Sequence, residues 1–580
     1  MNSDKQVTIF INDQPYQAAE GEAVLKVAIR YKLNIPHLCF HEDLPVEANC
    51  RLCLVEVADQ DKKTLTTSCT LQACEGLRLT THTKQIEKLR HTNLQLLLAR
   101  HSDLCPKCQK NLACPAKKLI EEYQIEQVTE QVKEWPVHQM GTAAEFDPQM
   151  CIKCGKCVNV CSQIGINFLE LEGKGADMHL THSKNPKVDC VYCGQCTIHC
   201  PVSAVREQSQ LEEVESVLAD PDKILIAQMA PSVRASLGEE FGLEAGTNVE
   251  GQAYTALRQL GFTHIFDVNM GADITTMVEA QELVERLQAR AAGETTHLPM
   301  FTSCCPAWVK FVEFYAPELI PHLTTSRSPQ IHSGAAYKTW WASTQNIDPS
   351  RIVVVSLMPC TSKKYEASLE KLEIDFQGHK LKPVDLVLTT RELGALLKKR
   401  GIDLLSLATS QADSLGQYSG AGAIYGASGG VMESALRSAA YMLNKEDLPK
   451  LELEEVRGMK GIKRASVQIG DLTLKVAVVA TPMNARKVLA ELKRDPQAYD
   501  YIEFMACPGG CIGGGGQPLG GTAAAIKQRT QALYRIDQEA PLRTAHSNPV
   551  VQEFLAWLQD KPQLQQQVLH TSYSPKDKFA

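Results

Sequence analysis

The cysteines of this sequence have the number and spacing of metal ligands. The chain of 580 residues contains 21 cysteines; sixteen lie between Cys39 and Cys200, and the other five lie beyond residue 300. Thiolate sulfur is a soft ligand that binds zinc and iron-sulfur clusters. Cysteines of a protein without an export signal are more often metal ligands or catalysts than disulfide partners. The front of the chain is therefore expected to bind metals, and the back to hold a separate site.

One cysteine spacing occurs twice and is highly specific. Each copy has the pattern Cys-x2-Cys-x2-Cys-x3-Cys, and Pro201 follows the second copy. Bacterial ferredoxins use this pattern, and in them the fourth cysteine of each run binds the cluster of the other run. By that rule one [4Fe-4S] cluster is bound by Cys151, Cys154, Cys157 and Cys200, and the other by Cys190, Cys193, Cys196 and Cys161. Two adjacent clusters form a path for single electrons.

The first cysteine group of the chain favours a [2Fe-2S] cluster. Cys39, Cys50, Cys53 and Cys69 contain a single Cys-x2-Cys pair and lie among short alternating segments, with one predicted helix over 22–32. These segments predict a small sheet crossed by one helix. A four-cysteine zinc site is the alternative, but such a site more often has two pairs of this kind.

The second group leaves the metal open when it is considered alone. It consists of His101, Cys105, Cys108 and Cys114, and three cysteines with one histidine are also a common zinc set. The duplicated ferredoxin pattern that follows makes clusters the better interpretation of both groups. We therefore expect a [4Fe-4S] cluster here.

The elements that must position the five remaining cysteines have an α/β pattern. From about residue 220, amphipathic helices such as 274–290 and 391–399 alternate with apolar segments; strands are expected at 223–230, 264–268, 351–358, 384–388, 475–480 and 501–506. In α/β folds, ligands bind at the carboxyl ends of strands. The remaining cysteines fall at such ends: Cys304, Cys305, Cys360, Cys507 and Cys511. Proline or glycine flanks each group, which indicates tight turns around one convergent metal site rather than ordinary buried core cysteines.

Composition excludes several other classes of protein. The net charge is −7, with 44% hydrophobic and 22% charged residues, which is typical of a globular protein and not of a disordered or fibrous one. No apolar run approaches the ~18 residues of a membrane span, and the first residues lack the pattern of a secretory signal. The mild acidity gives no support to nucleic-acid binding. We expect a cytoplasmic protein with no membrane and no nucleic-acid partner.

Three motifs in the back of the chain resemble the signature motifs of the [FeFe]-hydrogenases. They are TSCCPAW at 302–308, MPCTSKK at 358–364 and MACPGGC at 505–511. The order of the front groups is similar to the long, single-chain clostridial form with four accessory clusters, and the resemblance runs from about residue 5 to about residue 570. One departure is Ala307, where the family usually has glycine. Ligation should be unaffected, but the packing beside Cys304 and Cys305 is in question.

The resemblance implies that the back of the chain binds an H-cluster. In this family the cofactor is a [4Fe-4S] cubane joined to a two-iron subsite that carries CO, cyanide and an azadithiolate bridge made by separate maturases. The implied cubane ligands are Cys305, Cys360, Cys507 and Cys511, the last also bridging to the subsite. Six residues are implied to cradle the subsite: Lys363 at one cyanide, Pro231 and Ser232 at the other, and Gln330, Met358 and Met505 along the pocket. Without the resemblance, both methionines would be assigned to the core and Lys363 to the surface.

A proton relay is also implied by the resemblance. It would run through Cys304, Glu282, Thr324 and Glu279, with Arg286 at its outer end. Helical spacing by itself places the two glutamates and the arginine on one face opposite apolar residues, which is typical of a solvated surface. Thr324 stands where the family usually has serine and keeps the hydroxyl.

The sequence is thus predicted to encode an [FeFe]-hydrogenase that catalyses 2H⁺ + 2e⁻ ⇌ H₂. Ferredoxin or a similar one-electron carrier is the expected partner, together with hydrogenase maturases, and a monomer is expected. The predicted fold is multidomain, α+β and α/β: a β-grasp [2Fe-2S] ferredoxin domain at 1–83, a histidine-plus-three-cysteine [4Fe-4S] domain at 84–125, a 2[4Fe-4S] ferredoxin-like domain at 126–212 and a large α/β H-cluster domain at 213–580. Cys74 has no assigned role.

Two alternatives come from other classes of protein. An electron-conduit subunit of an NADH or formate dehydrogenase complex would explain the front groups but not the three motifs. A sensory or assembly-type relative would lack the two-iron subsite, and the presence of Lys363 and Cys304 argues against it. The glycines at 420–426 miss the spacing of a dinucleotide-binding motif.

Overall fold

A computed structural model describes residues 5–59, 62–99, 114–126 and 136–579. His101, Cys105 and Cys108 lie outside the described residues, so the cluster expected at the second group stays a prediction. Cys114 of that group is buried directly before a short helix, Pro115–Glu122. Among the described residues, no helix has both the length and the apolar composition needed to cross a bilayer.

Five strands form a mixed sheet at the front of the chain. In chain order the elements are β1 (Gln6–Ile11), β2 (Gln14–Ala19), α1 (Val24–Arg30), β3 (Leu54–Asp59), β4 (Lys62–Thr67) and β5 (Arg78–Thr80). The strand order is β2-β1-β5-β3-β4, and only β1 and β5 pair in parallel. Alternate residues Val7, Ile9 and Ile11 share a core with α1. The predicted small sheet with one crossing helix is confirmed; the helix is shorter than expected because Lys32 takes a positive φ of 57°.

The next region contains one local arrangement twice. Its elements are α2 (Lys84–Leu98), α3 (Pro115–Glu122), β6 (His138–Met140), β7 (Ala144–Phe146), α4 (Lys156–Gln163), β8 (Leu169–Glu172), β9 (His179–His182), α5 (Gln195–His199), β10 (Val205–Glu207) and α6 (Leu211–Leu218). Gly155 and Gly194 take left-handed conformations, with φ of 81° and 68°, and α4 and α5 begin directly after them. The duplicated cysteine pattern therefore corresponds to a duplicated turn and helix.

Two four-stranded sheets and one separate antiparallel pair of strands, 374–376 with 379–381, form the back of the chain. The strands are β11 (Ile224–Met229), β12 (His264–Asp267), β13 (Met300–Phe301), β14 (Ile352–Met358), β15 (Ile374–Phe376), β16 (His379–Leu381), β17 (Leu386–Thr389), β18 (Ile462–Ile469), β19 (Leu472–Ala480) and β20 (Tyr501–Met505). One sheet has the order β12-β11-β14-β17 and is parallel throughout; the other has the order β13-β20-β19-β18, with β18 antiparallel. All six segments predicted as strands form strands, and the α/β prediction is confirmed.

One helix of this region is longer than its sequence pattern indicates. The helices are α7 (Glu250–Leu260), α8 (Val268–Ala291), α9 (Pro306–Tyr315), α10 (Pro329–Ala336), α11 (Ala342–Thr344), α12 (Ser362–Ala367), α13 (Thr390–Lys399), α14 (Gly420–Ala423), α15 (Gly430–Asn444), α16 (Pro482–Arg494), α17 (Ala523–Glu539), α18 (Pro549–Leu558) and α19 (Pro562–Leu569). The helix predicted at 274–290 is part of α8. Every residue from Val268 to Thr276 is buried, so the first nine residues of α8 have no solvent-exposed face, and their polar residues do not mark a surface as they do in an amphipathic helix.

Candidate active site

A buried cavity lies where the carboxyl ends of strands from both sheets meet. Its walls come from the segments that follow β11, β13, β14 and β20, and from the first turns of α8. Nine of the residues implied by the resemblance line it: Pro231, Ser232, Cys304, Gln330, Met358, Cys360, Lys363, Met505 and Cys511. The strand ends thus converge on one site as predicted, and that site lies between the two sheets.

Four thiols beside the cavity form one electrostatic group; Cys360 and Cys507 are buried, and Cys305 and Cys511 are partly buried. Burial raises the pKa of each thiol, to about 12 at Cys360, and neighbouring thiols raise the pKa of Cys360, Cys507 and Cys511 further. Such thiols become thiolates only when a bound cation compensates their charge. The group therefore suits a cubane with four cysteine ligands.

The backbone around these thiols is closely packed. Gly510, in the turn between Cys507 and Cys511, has a φ of 90°, and a Cβ there would lie 2.7 Å from the backbone nitrogen of Ser428. A side chain at Gly510 would therefore be strained and would displace its neighbour. Ala307, the departure from the family pattern, is buried in the first turn of α9 within the apolar core. Its methyl group is accommodated beside Cys305.

Two buried polar atoms in the cavity wall indicate that a polar group binds there. Ser232 Oγ and Gln330 Oε1 have no hydrogen-bond partner among the described residues, and both residues are fully buried. A buried polar atom without a partner costs about 1–3 kcal/mol. Lys363 adds a donor, because its ammonium has three N–H groups and two of them are used within the protein. The two groups that can donate, the Ser232 hydroxyl and the Lys363 ammonium, therefore fit the cyanide-bearing subsite implied by the resemblance, whereas Gln330 Oε1 can only accept.

Glu366 lies outside the three sequence motifs and holds Lys363 and Gln330 in place. Lys363 Nζ donates to Cys304 O at 3.1 Å and to Glu366 Oε2 at 2.8 Å. The same carboxylate oxygen accepts hydrogen bonds from Gln330 Nε2 and Ser328 Oγ, each at 2.7 Å. Burial lowers the pKa of Lys363, but Glu366 outweighs that effect, so the pKa is raised overall and the ammonium stays charged. The only signal in the sequence is the i, i+3 spacing from Lys363.

The relay residues are close to one another, but their predicted order is wrong. Burial raises the pKa of the Cys304 thiol most, and the charge of Glu279, which is itself fully buried, raises it further. Glu282 lies further out: its Oε2 accepts from Thr324 Oγ1 at 2.6 Å and its Oε1 from Arg286 at 2.6 Å. Glu279, and not Glu282, is therefore the inner glutamate. The spatial order from the cavity outward is Cys304, Glu279, Glu282 with Thr324, and Arg286.

The direction of α8 explains this correction. Ala272 of α8 lines the cavity, and at 1.5 Å per residue Glu279 lies about 10 Å further along the axis and Glu282 about 15 Å. The helix leaves the interior as it proceeds, so Glu279 is 0% exposed whereas the side chains of Glu282 and Arg286 are 15% and 14% exposed. The solvated face indicated by helical spacing is thus also wrong for Glu279.

The accessory cysteines form the groups that the ferredoxin rule predicts. Cys151, Cys154, Cys157 and Cys200 line one small cavity. In the other set, burial and then Cys161 raise the pKa of Cys190. The two sets of four cysteines are therefore grouped as in a ferredoxin that binds two [4Fe-4S] clusters.

The cysteine groups follow one another through the protein. Cys507 Sγ lies 3.9 Å from Cys193 O, so the cubane group adjoins the second ferredoxin set. At the far end, Asn49 Nδ2 donates to Cys154 O at 3.3 Å, so the first sheet adjoins the other ferredoxin set. The order from the first sheet to the cavity is therefore Cys39/50/53/69, Cys151/154/157/200, Cys161/190/193/196 and Cys305/360/507/511.

Four segments of the chain match known families. Residues 223–515 match the iron only hydrogenase large subunit, C-terminal domain, and residues 523–576 match the iron hydrogenase small subunit. Residues 4–84 match a 2Fe-2S iron-sulfur cluster binding domain, and residues 150–204 match a 4Fe-4S dicluster domain.

Individual proteins are similar over almost the whole length. The chain is 38% identical to the NADP-reducing hydrogenase subunit HndD of Solidesulfovibrio fructosivorans, over 99% of this chain and 100% of that protein. It is 37% identical to iron hydrogenase 1 of Clostridium pasteurianum, over 93% and 95%. A solved structure of a variant of the apo [FeFe]-hydrogenase HydA1 from Chlamydomonas reinhardtii superposes with a TM-score of 0.56 at 36% identity, covering 63% of this chain and 99% of that one.

Proposed function

Because the chain belongs to the iron-only, or [FeFe], hydrogenase family, we propose roles for its residues in a reaction that the family membership establishes. The protein is an oxidoreductase that catalyses 2H⁺ + 2e⁻ ⇌ H₂, and it carries [2Fe-2S] and [4Fe-4S] clusters and an H-cluster. When bound, the clusters carry single electrons, and the H-cluster supplies the site where electrons and protons combine.

The residues proposed to hold the H-cluster are those that surround the cavity. Cys305, Cys360, Cys507 and Cys511 are the proposed cubane ligands, and Cys511 also faces the cavity itself. The third N–H of Lys363 and the hydroxyl of Ser232 are proposed to donate to the anionic cyanide ligands, since donors to charged acceptors form the stronger hydrogen bonds. Pro231, Gln330, Met358 and Met505 close the cavity around them.

Protons are proposed to move along side chains of this chain. Cys304 is the thiol at the cavity that the four-ligand cubane leaves unused. Glu279 takes the proton in the buried interior, and Glu282 with Thr324 passes it to the surface beside Arg286. The observation that carries the proposed function is this convergence: four cysteine groups in series and a chain of proton-bearing groups both end at one cavity.

Ferredoxin, or a similar one-electron carrier, is the proposed redox partner, and separate maturases the proposed source of the two-iron subsite. We propose 1–83, 84–125, 126–212 and 213–580 as the domains. We also propose that the chain works in the cytoplasm, where thiols stay reduced, and that it is active as a monomer.

A second candidate is that the chain works as the hydrogenase subunit of a larger NADP-reducing assembly. The full-length similarity to subunit HndD supports it. The isolated chain would then evolve H₂ only slowly with ferredoxin. A nicotinamide-binding partner would co-purify with the chain from its native cells.

Infrared spectroscopy of the matured protein tests the proposed function. Bands from metal-bound CO and cyanide are expected after co-expression with maturases, together with H₂ evolution from reduced ferredoxin. The same chain expressed without maturases is the control and should show neither. An iron-replete, matured sample without the bands would contradict the proposed site and favour an assembly-type or sensory protein.

A further inference from the structure

Strand β20 places the side chain of Tyr501, which lies outside the three sequence motifs, beside the proposed proton path. Alternate residues of a strand point to the same side, and on β20 these are Tyr501, Glu503 and Met505. Met505 lines the cavity. Glu503 accepts hydrogen bonds from the backbone N–H groups of Gly429 and Met432 at the start of α15. Each residue on this side of β20 therefore has a specific contact near the active site.

The hydroxyl of Tyr501 donates to Glu279 Oε1 at 2.9 Å. Both side chains are 0% exposed, so no water competes for the bond from the surface. Tyr501 is held firmly, because β20 is an interior strand that pairs with Met300 of β13 and with Val476 of β19. The hydrogen bond thus connects a rigid strand to the buried carboxylate of α8.

The two oxygens of Glu279 have different surroundings. Oε1 is occupied by Tyr501, whereas Oε2 is buried and has no hydrogen-bond partner among the described residues. Leaving such an atom without a partner is costly. A buried carboxylate oxygen with this arrangement is available to bind a proton.

We propose that Tyr501 is a positioning residue of the proton path: its hydroxyl fixes Oε1 of Glu279 and leaves Oε2 as the oxygen that exchanges the proton with Cys304. In H₂ oxidation the S–H bond of Cys304 breaks and an O–H bond forms at Oε2. In H₂ production the same proton returns in the opposite direction, and no electron moves in either step. This inference rests on the proposed function, in which Cys304 and Glu279 carry protons.

The groups around Glu279 determine in which direction its pKa should change when the Tyr501 hydroxyl is removed. The pKa of Glu279 is raised to about 8: burial raises it most, and the carboxylates of Glu282 and Glu503 also raise it, whereas the hydrogen bond from Tyr501 and the charge of Arg286 lower it. Cys304 and Tyr425 are the other titratable groups that face it. Because the tyrosine hydroxyl stabilises the carboxylate, its removal should raise the pKa of Glu279.

Tyr501→Phe in the matured holoenzyme tests the inference. The limb of the pH profile of H₂ evolution that belongs to Glu279 should move to higher pH by about one unit, since a hydrogen bond to a charged group has about that effect. The infrared C=O band of the protonated Glu279 acid should also shift. Tyr337→Phe is the matched control, because it removes a buried hydroxyl that donates to the backbone of Asp267 at the start of α8 and also bonds to Ser333, with no contact to Glu279 among its hydrogen bonds. It should change neither readout.

Glu279→Gln tests the proton path itself, independently of the positioning role of Tyr501. We expect it to lower turnover at least about 100-fold, the usual effect of removing a proton-transfer group. Full turnover of Glu279→Gln would overturn the proton path, and the role of Tyr501 with it. Loss of turnover in Glu279→Gln, with an unchanged pH profile and carboxyl band in Tyr501→Phe, would overturn only the positioning role. If Tyr501→Phe loses its iron, 3-fluorotyrosine at position 501 gives the same test with the opposite sign, because the more acidic hydroxyl is a stronger donor.

Discussion

Lys363 Nζ lies 2.8 Å from Oε2 of Glu366, one helical turn further along α12, and the two side chains form an ion pair behind the wall of the active-site cavity. Each side chain is only 10% exposed. The same carboxylate oxygen also accepts hydrogen bonds from Ser328 and Gln330. One carboxylate therefore orients two residues that are proposed to contact the H-cluster.

Glu366→Gln is expected to loosen Lys363. The amide keeps the shape of the side chain, but it lacks the negative charge of Glu366 that raises the pKa of Lys363. Removing one charge from a buried pair costs about 3 kcal/mol or more, so the unfolding temperature should fall, and the CO and cyanide bands per iron should weaken. Glu370→Gln, at an exposed position one turn later, is the control. Unchanged bands and unfolding temperature in Glu366→Gln would contradict this role.

Cys304→Ala should separate cluster binding from proton transfer. Cys304 is not among the four proposed cubane ligands, so the iron content and the infrared bands should remain. Turnover should fall by at least about 100-fold, because the thiol is the first proton carrier at the cavity. Cys74→Ala removes an exposed thiol and should have no effect. Near-normal H₂ evolution from Cys304→Ala would remove Cys304 from the path.

Glu279 should make the apoprotein less stable as the pH rises. The pKa of its carboxyl is about 8 in the folded protein against an ordinary 4.5, so the folded state binds the proton more tightly. The stabilisation from this proton is complete below pH 4.5 and is lost as the pH rises through the folded pKa of about 8. The loss is about 1.4 kcal/mol for each pH unit within that window.

Glu279→Gln should therefore remove part of the pH dependence of the unfolding temperature. Between pH 5 and pH 8, the variant should gain stability relative to the native chain as the pH rises. Glu285→Gln changes an exposed carboxylate on the same helix and serves as the control. A difference between Glu279→Gln and the native chain that does not change with pH would show that Glu279 does not titrate in this range.

Gly515→Ala should disturb the contact between the cubane group and the adjacent ferredoxin set. A Cβ at Gly515 would lie 2.5 Å from Gly194 Cα and 2.6 Å from Cys193 O, so two backbones would have to separate. H₂ evolution driven by reduced ferredoxin should slow severalfold while the infrared bands of the H-cluster persist. Gly521→Ala is the control, since its nearest neighbour is the flexible end of Ile198. Equal rates in both variants would show that this contact does not limit electron delivery.

The cluster groups could be predicted because most of their ligands are local. A Cys-x2-Cys-Gly-x-Cys run turns back within a few residues, and the left-handed glycine and the helix after it follow from that short sequence. The strands of the back could be predicted for a similar reason, since each is a short apolar run between polar turns. The start of α8 could not, because its first turns are buried on every side and their polar residues do not mark a solvent-exposed face.

The sequence by itself determined the class of the metal sites, the family and the α/β architecture. Only the tertiary structure decided that Glu279 lies deeper in the protein than Glu282, that Glu366 orients Lys363, and that Tyr501 donates a hydrogen bond to Glu279. Glu279 and Glu282 are chemically alike and three residues apart, so nothing in their spacing distinguishes them. The two glutamates differ in how far along α8 they lie from the cavity. They differ also because the register of β20 against β13 and β19 places Tyr501 beside Glu279. Spacing along the chain sets local ligand geometry, whereas burial and contacts between distant elements set the partner and the pKa of each side chain.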